Sequence, residues 1–428
     1  MHLSTTDLTV DRVRSRVLRT VLVSQVLSSV GTTVAYTVTA VVAVSLAGSS
    51  TLVGIVLAIT GFGPVVATAL ISRITDARGR RAGIATGYWT AAVGALVSVI
   101  AIVWHSYPVF IVGGLLVGFA TVTNFQARFA ATDLPSESGS AKSISLIVWV
   151  TTVGAVAGPN VSPLGAVVAR WTGLPEWTGV FLIAAAGFAV AGAVVTAFMR
   201  PDPLLLSRLS TVEPGATVVR KGFWERVGAG ASAVGASTRA RYAIITTTVG
   251  HTVMISVMTW TPVHMEHGVS HVGLIGVVLS LHFAGMYAVS PVFGWVAGRV
   301  GSVPVMVGST VVMGLSLVIG GTAAPGDAVR LAVALFLLGF GWCGMFVTGS
   351  ALLSDSVPAD ARPAVQGLSD AVMWVGSAVA AAGAGWVVDV GGYPWLNACS
   401  GVLLVPCLVF GARVVAQRRI SPAAPPVG

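Results

Sequence analysis

Histidine and methionine gather in one short stretch of this chain. Five of its seven histidines, His251, His264, His267, His271 and His282, lie within residues 251–282, and Met254, Met258, Met265 and Met286 fall among or just beyond them. On a helix, His251, Met254 and Met258 share one face, and His282 and Met286 stand one turn apart. Thioether and imidazole suit a soft monovalent ion such as Cu(I). Thioethers are neutral, so such a set binds and releases a cation without adding fixed charge to a bilayer. Methionine is equally a flexible filler of helix contacts, and a histidine between helices also serves as a hydrogen-bonded contact or gate. Metal ligation by Met254, Met258, His282 and Met286, with His251, and plain packing therefore both stand as readings. His264, Met265, Glu266, His267 and His271 read as a solvated turn or as an external capture patch.

The elements that position these residues follow from composition. The chain has 428 residues, 55% apolar and 9% charged, with mean hydropathy +0.89, whereas a soluble domain carries about 25% charge. A water-soluble globule is excluded. A membrane barrel needs alternating segments of about ten residues, and the sequence has none. Its charges form islands instead: Thr20 to Ser72, Ala82 to Ala127 and Val300 to Gly326 contain no Asp, Glu, Lys or Arg. Such deserts suit helices of about 20 residues crossing a core about 30 Å thick. Cutting them at turn residues gives twelve spans: 20–46, 51–72, 82–104, 108–130, 143–168, 177–199, 242–263, 272–296, 303–321, 331–353, 366–389 and 395–417. At 1.5 Å per residue, Met254 and His282 lie about 14 Å below the outer ends of their spans.

Of the 24 basic residues, all but Arg170 and Arg330 fall on the side of the N-terminus. That asymmetry places both termini in the cytosol and turns the net charge of +9 into a topology signal facing anionic lipid, not a nucleic-acid footprint. The first apolar run shows no small-x-small cleavage site and reads as a retained span. Cys343, Cys399 and Cys407 lie inside spans and form no metal or disulfide framework. There is no Walker A sequence and no nucleophile elbow. The expectation is a gradient-driven carrier, not an enzyme, with no cofactor and no obligatory protein partner. The excess of Arg over Lys points to a bacterial source with a multi-pass protein in the cytoplasmic membrane.

Residues 200–241 form the longest non-apolar stretch and read as a cytosolic linker between bundles at 1–199 and 242–428. The halves align at a constant offset, which pairs Gly79 with Gly301, Asp133 with Asp355 and Gly154 with Gly376. Two parallel six-helix repeats resemble the major facilitator superfamily. The loop SRITDARGRR, Ser72 to Arg81, is similar to that superfamily's signature through Asp76, Gly79, Arg80 and Arg81, with Ser72 where Gly is usual and Ala77 where a basic residue is usual. The resemblance implies an all-α fold of twelve transmembrane helices, alternating access, and a latch made by this loop when the cytosolic side is shut. GAVAGP, Gly154 to Pro159, is similar to an element of many exporters, although glycines four apart also permit close helix approach by themselves.

A narrower resemblance joins M-x-x-x-M (Met254, Met258) to H-x-x-x-M (His282, Met286), with RFAATD from Arg128, TPVHM from Thr261 and HFAGMYAVSP from His282. These are similar to the CcoA-like copper-importer branch, and imply Met254, Met258, His282 and Met286 as copper ligands. That branch includes carriers of organic cargo such as riboflavin. The expected cargo is Cu(I); the alternative is a small organic molecule, a vitamin, drug or metabolite, with the Met/His set structural. Asp370, Arg128 and Asp133 are the candidates for coupling or gating. Helix capping, or pairing with Arg362 or Arg128, is the other reading of Asp370. Gln25, Tyr36, Asn124 and Gln126 would line a central cavity.

Overall fold

A computed structural model describes residues 5–47, 50–134, 139–161, 164–175, 177–211, 223–266 and 272–420. Its helices are α1 (Thr5–Ala47), α2 (Ser50–Arg78), α3 (Arg80–Val103), α4 (Tyr107–Ala127), α5 (Ser140–Val161), α6 (Leu164–Thr172), α7 (Thr178–Phe198), α8 (Pro203–Thr211), α9 (Phe223–Ala236), α10 (Thr238–Glu266), α11 (Val272–Phe283), α12 (Ser290–Val300), α13 (Ser302–Gly321), α14 (Ala328–Asp355) and α15 (Arg362–Ile420). Among the described residues there is no strand, and nine segments are long and apolar enough to cross a membrane. The remaining three expected spans fall in α2, in α5 with α6, and in the first part of α15.

The stretch 143–168 is described as α5 and α6, with residues 162–163 outside the described residues. The span from 272 is not one regular helix, because Ala284–Ala288 is a π turn between α11 and α12. Pro291 lacks the N–H that would bond the Tyr287 carbonyl in a regular turn. The Ser290 hydroxyl takes that place at 2.7 Å. In the linker, α9 begins at Phe223, where Phe-Trp suggests an interfacial helix.

The chain forms two compact units. The first comprises Met1–Glu137, Ile147–Ala231 and Pro358–Ala378; the second comprises Ser138–Leu146, Ser232–Val357 and Val379–Gly428. The units follow the two halves of the sequence, with one short segment of each half joined to the other unit. In the first unit α1, α3, α4 and α7 close around small apolar residues such as Ala35, Ala91, Ala95, Ala120 and Ala184, with Phe110 set edge-on to Phe181 at 5.7 Å. Glycines let backbones approach: a Cβ on Gly154 or Gly158 would lie 2.2 Å from Ser29 or 2.5 Å from Thr33, so GAVAGP is where α5 meets α1. In the second unit α14 is central, buried along nearly its whole length from Leu331 to Ser354. Its glycines seat its neighbours, Gly341 against Met313, Gly344 against Ser309 and Gly349 against Thr247.

Candidate functional site

The first unit holds a buried group of charges. Gly79 ends the loop after α2 with φ +94°, a conformation that favours glycine. The turn brings the N-terminus of α3 against Asp202, whose carboxylate accepts the amides of Arg80 and Arg81 at 3.2 and 2.8 Å and also those of Leu204 and Leu205 at the start of α8. One aspartate thus caps two helices, each with its positive dipole end facing the charge. A Cβ on Gly79 would lie 2.4 Å from that carboxylate. Asp76 accepts from the Arg208 guanidinium at 2.7 Å, and the same guanidinium bonds the Asp76 carbonyl at 2.9 Å.

Arg80 is turned inward and forms a two-point pair with Asp133, Nε and Nη2 each donating at 2.8 Å, while Nη2 also donates to Gln366 Oε1 at 2.9 Å. Four residues along α15 from Gln366, Asp370 accepts from Arg128 Nη2 at 2.7 Å. Arg128 opens a 3-10 turn, Arg128–Ala131, that ends α4; its guanidinium lies 4.1 Å over the Phe129 ring and also bonds the Phe125 carbonyl. Both ion pairs are almost fully buried. Arg80 also feels Asp202 and Asp370, and Arg128 feels Arg80, so the two ion pairs interact. Buried pairs cost desolvation that only good geometry offsets. Asp370 stands eight residues, about 12 Å, into α15, too far along for helix capping. Arg362 bonds the Thr132 carbonyl. The second carboxylate oxygen of Asp370 is buried with no hydrogen-bond partner among the described residues.

Each polar residue expected to line a cavity has a hydrogen-bond partner in the same unit. Gln25 donates to Thr151 Oγ1 at 3.2 Å, Tyr36 lies 3.1 Å from Thr121 Oγ1, Tyr88 donates to Asn124 at 3.0 Å, and Gln126 donates to Ser72 Oγ at 3.0 Å.

The second unit holds the Met/His set. Both buried histidines take a partner from α14, and the partners fix opposite tautomers. The indole N–H of Trp342 can only donate, and it bonds His251 Nδ1 at 2.9 Å, so neutral His251 carries its proton on Nε2. The Leu335 carbonyl can only accept, and it lies 2.7 Å from His282 Nδ1, so that nitrogen is protonated and Nε2 keeps the lone pair. Nε2 of His282 is buried without a hydrogen-bond partner among the described residues. Met286, in the π turn, sits where Gly339 leaves room, with its Cγ 3.1 Å from the position a Cβ would take. Met254 is buried and Met258 half-buried. Among the described residues no group of three or more His, Cys, Asp or Glu side chains is placed to hold a metal ion.

Of the expected outer patch, the side chains of His264 and Met265 are described. His264 stacks on Tyr393 with ring centres 4.4 Å apart and reaches the Ala323 carbonyl at 3.2 Å; Met265 is fully buried. His267 and His271 lie outside the described residues. Sequence reasoning missed Asp202, Arg208 and Gln366. Only Asp202 carries a local sign, an acidic residue directly before the proline that opens α8.

Comparison with known proteins agrees with this architecture. The chain matches the profile described as Major Facilitator Superfamily over residues 21–274 and 270–427. It is 31% identical over 377 residues to the uncharacterized MFS-type transporter YdeG of Bacillus subtilis, covering 87% of this chain and 86% of that one. It is 26% identical over 332 residues to the riboflavin transporter RfnT of Brucella anthropi, covering 74% and 75%. Its fold is similar to the crystal structure of the human organic anion transporter MFSD10, with TM-score 0.72, 13% identity and coverage of 93% and 99%.

Proposed function

Since the chain belongs to the major facilitator superfamily and is a secondary transporter of the membrane, we propose that its cargo is a small organic solute. We further propose that it spans the cytoplasmic membrane of a bacterium twelve times with both termini in the cytosol, works by alternating access, and binds neither a resident cofactor nor an obligatory protein partner. Members of this superfamily are generally carriers, not enzymes.

The observation that carries the organic reading is the opposed tautomers of His251 and His282. A metal ion needs a lone pair from each imidazole. His251 has given its lone pair to Trp342 and carries a proton on the other nitrogen, so it drops out of the ligand set unless that bond breaks. An imidazole that offers an N–H, as His251 does, and one that offers an acceptor nitrogen, as His282 does, are each suited to hydrogen-bond a polar organic solute. The likeness to the riboflavin transporter RfnT supports the same reading. The charge balance agrees with it: Arg80, Arg128 and Asp76 each have an opposite partner, so the described interior presents no unpaired fixed charge to attract an ionic cargo.

In this reading the Arg/Asp group is the gate and the coupling site. Gln366 and Asp370 on one face of α15 are tied to Arg80 and Arg128, the unpartnered oxygen of Asp370 is the place to hold a proton, and Asp76, Gly79 and Arg81 complete the loop latch.

A second reading, transport of Cu(I), is favoured by His282. An imidazole that donates one N–H to a backbone carbonyl and offers the other nitrogen is oriented as metal-binding histidines are, with Met254, Met258 and Met286 as thioether donors. Counterflow in proteoliposomes separates the two. Exchange of riboflavin or a related heteroaromatic solute, unaffected by Cu(I), supports the organic reading; Cu(I) exchange with no organic solute moving overturns it.

A further inference from the structure

A cavity of about 550 Å³ opens on the first unit between α3, α4 and α7. Its lining runs along α3 from Arg81 through Ala85 and Trp89 to Val93, with Leu116 and Thr196 on the facing helices. These α3 residues recur every four positions and make one stripe. Twelve residues at 1.5 Å per residue give the stripe a length of about 18 Å, close to the depth of one leaflet of a core about 30 Å thick. Trp89 is 45% exposed and Val93 52% exposed, so the wall is open to the side where lipid lies. The indole of Trp89 rests against Gly192, where a Cβ would come within 3.1 Å of its nitrogen, and that nitrogen points to Thr196 Oγ1 at 3.5 Å.

The charge lies at one end only. Arg81 heads the groove, its backbone amide is held by Asp202, and its guanidinium has no carboxylate partner among the described residues. This differs from Arg80 next to it, whose side chain turns inward to Asp133. A cation fixed at the head of an apolar, laterally open groove one leaflet long complements an amphiphile with an anionic head.

We propose that this groove binds an anionic glycerophospholipid, its phosphate on Arg81 and one acyl chain along Ala85, Trp89 and Val93. The leaflet, the cytosolic one, follows from the topology proposed above. The site itself does not depend on that topology. Because Arg81 follows Arg80 directly, an occupant steadies the loop whose next residue holds Asp133.

Native mass spectrometry of the full chain in detergent, titrated with phosphatidylglycerol or with phosphatidylcholine of the same acyl chains, tests this. The wild type retains one phosphatidylglycerol with at least about fivefold preference over phosphatidylcholine, the ratio expected from one basic residue at a membrane surface. Arg81→Gln loses the preference and Arg81→Lys keeps it. Thr90 also lines the groove, and Thr90→Trp, which fills it and leaves the arginine in place, loses the bound lipid. Inorganic phosphate does not displace the lipid. A preference that survives either Arg81→Gln or Thr90→Trp, or a lipid displaced by inorganic phosphate, overturns the proposal.

Discussion

The two repeats share their turns but not their charges. Gly79 and Gly301, equivalent by the offset between the halves, have φ and ψ of 94° and 171° against 90° and 159°, and each stands at the N-terminus of the following helix. The close contacts repeat as well. A Cβ on Gly367 would lie 2.4 Å from Ser72 Oγ in the first unit, and one on Gly294 would lie 2.2 Å from Ser145 Oγ in the second. Ser72 is equivalent to Gly294, and Ser145 to Gly367, so each contact has one serine and one glycine with the roles exchanged. The serine that departs from the superfamily's signature loop is thereby explained: the space that glycine usually supplies at Ser72 comes from the opposite helix. Charge does not repeat. Where the first copy has buried Arg80 on Asp133, the second has Ser302 and an exposed Asp355 that accepts from Ser140 at 2.6 Å. The turn geometry is shared by both copies, and the buried Arg80–Asp133 pair has no counterpart at Ser302 and Asp355.

That contrast is breakable, most strongly at the aspartates. Asp133→Asn leaves Arg80 buried without its countercharge and is expected to cost about 3–5 kcal/mol, seen as a large fall in thermal midpoint in detergent. Asp355→Asn stays within about 0.5 kcal/mol, as an exposed site should. Equal effects at the two positions would erase the distinction. Asp370→Asn comes next: it removes the carboxylate that pairs with Arg128 and is expected to abolish accumulation driven by a proton gradient in proteoliposomes, with counterflow retained. Full gradient-driven accumulation in this variant would remove Asp370 from coupling.

Smaller effects sharpen the symmetry. Gly367→Ser and Gly294→Ser each overfill a serine contact, with an expected loss of about 1–3 kcal/mol. The reciprocal change Ser72→Gly restores most of it in the first case and Ser145→Gly in the second. Failure of both rescues in a thermal-shift assay would deny the exchanged contact. Gly301→Ala, whose cost is the positive φ, is expected to lose about 1–2 kcal/mol, and Gly79→Ala somewhat more because Asp202 also occupies the space.

Much of this was legible in the sequence because bilayer physics writes over long windows. Charge deserts located the helices, and a fixed offset exposed the repeat. The loop after α2 was readable because Asp76, Gly79, Arg80 and Arg81 lie within six residues of one another. What Arg80 and Arg128 touch was not, since Gln366 and Asp370 are 286 and 242 residues away in sequence. The histidines show the same limit. Their spacing made a ligand set plausible, but proton placement depends on Trp342 and Leu335 of a third helix, and no periodicity in α10 or α11 carries that information. The π turn had a local cause in Ser290 and Pro291, which a reading by apolar length alone passes over.

The account rests on the Met/His set serving an organic cargo. Metal analysis of the purified chain after incubation with Cu(I) under reducing conditions tests this most directly. The account predicts copper near background in the wild type and no change in His282→Ala. One copper per chain in the wild type, lost in both His282→Ala and Met254→Leu while each variant stays folded, would contradict it.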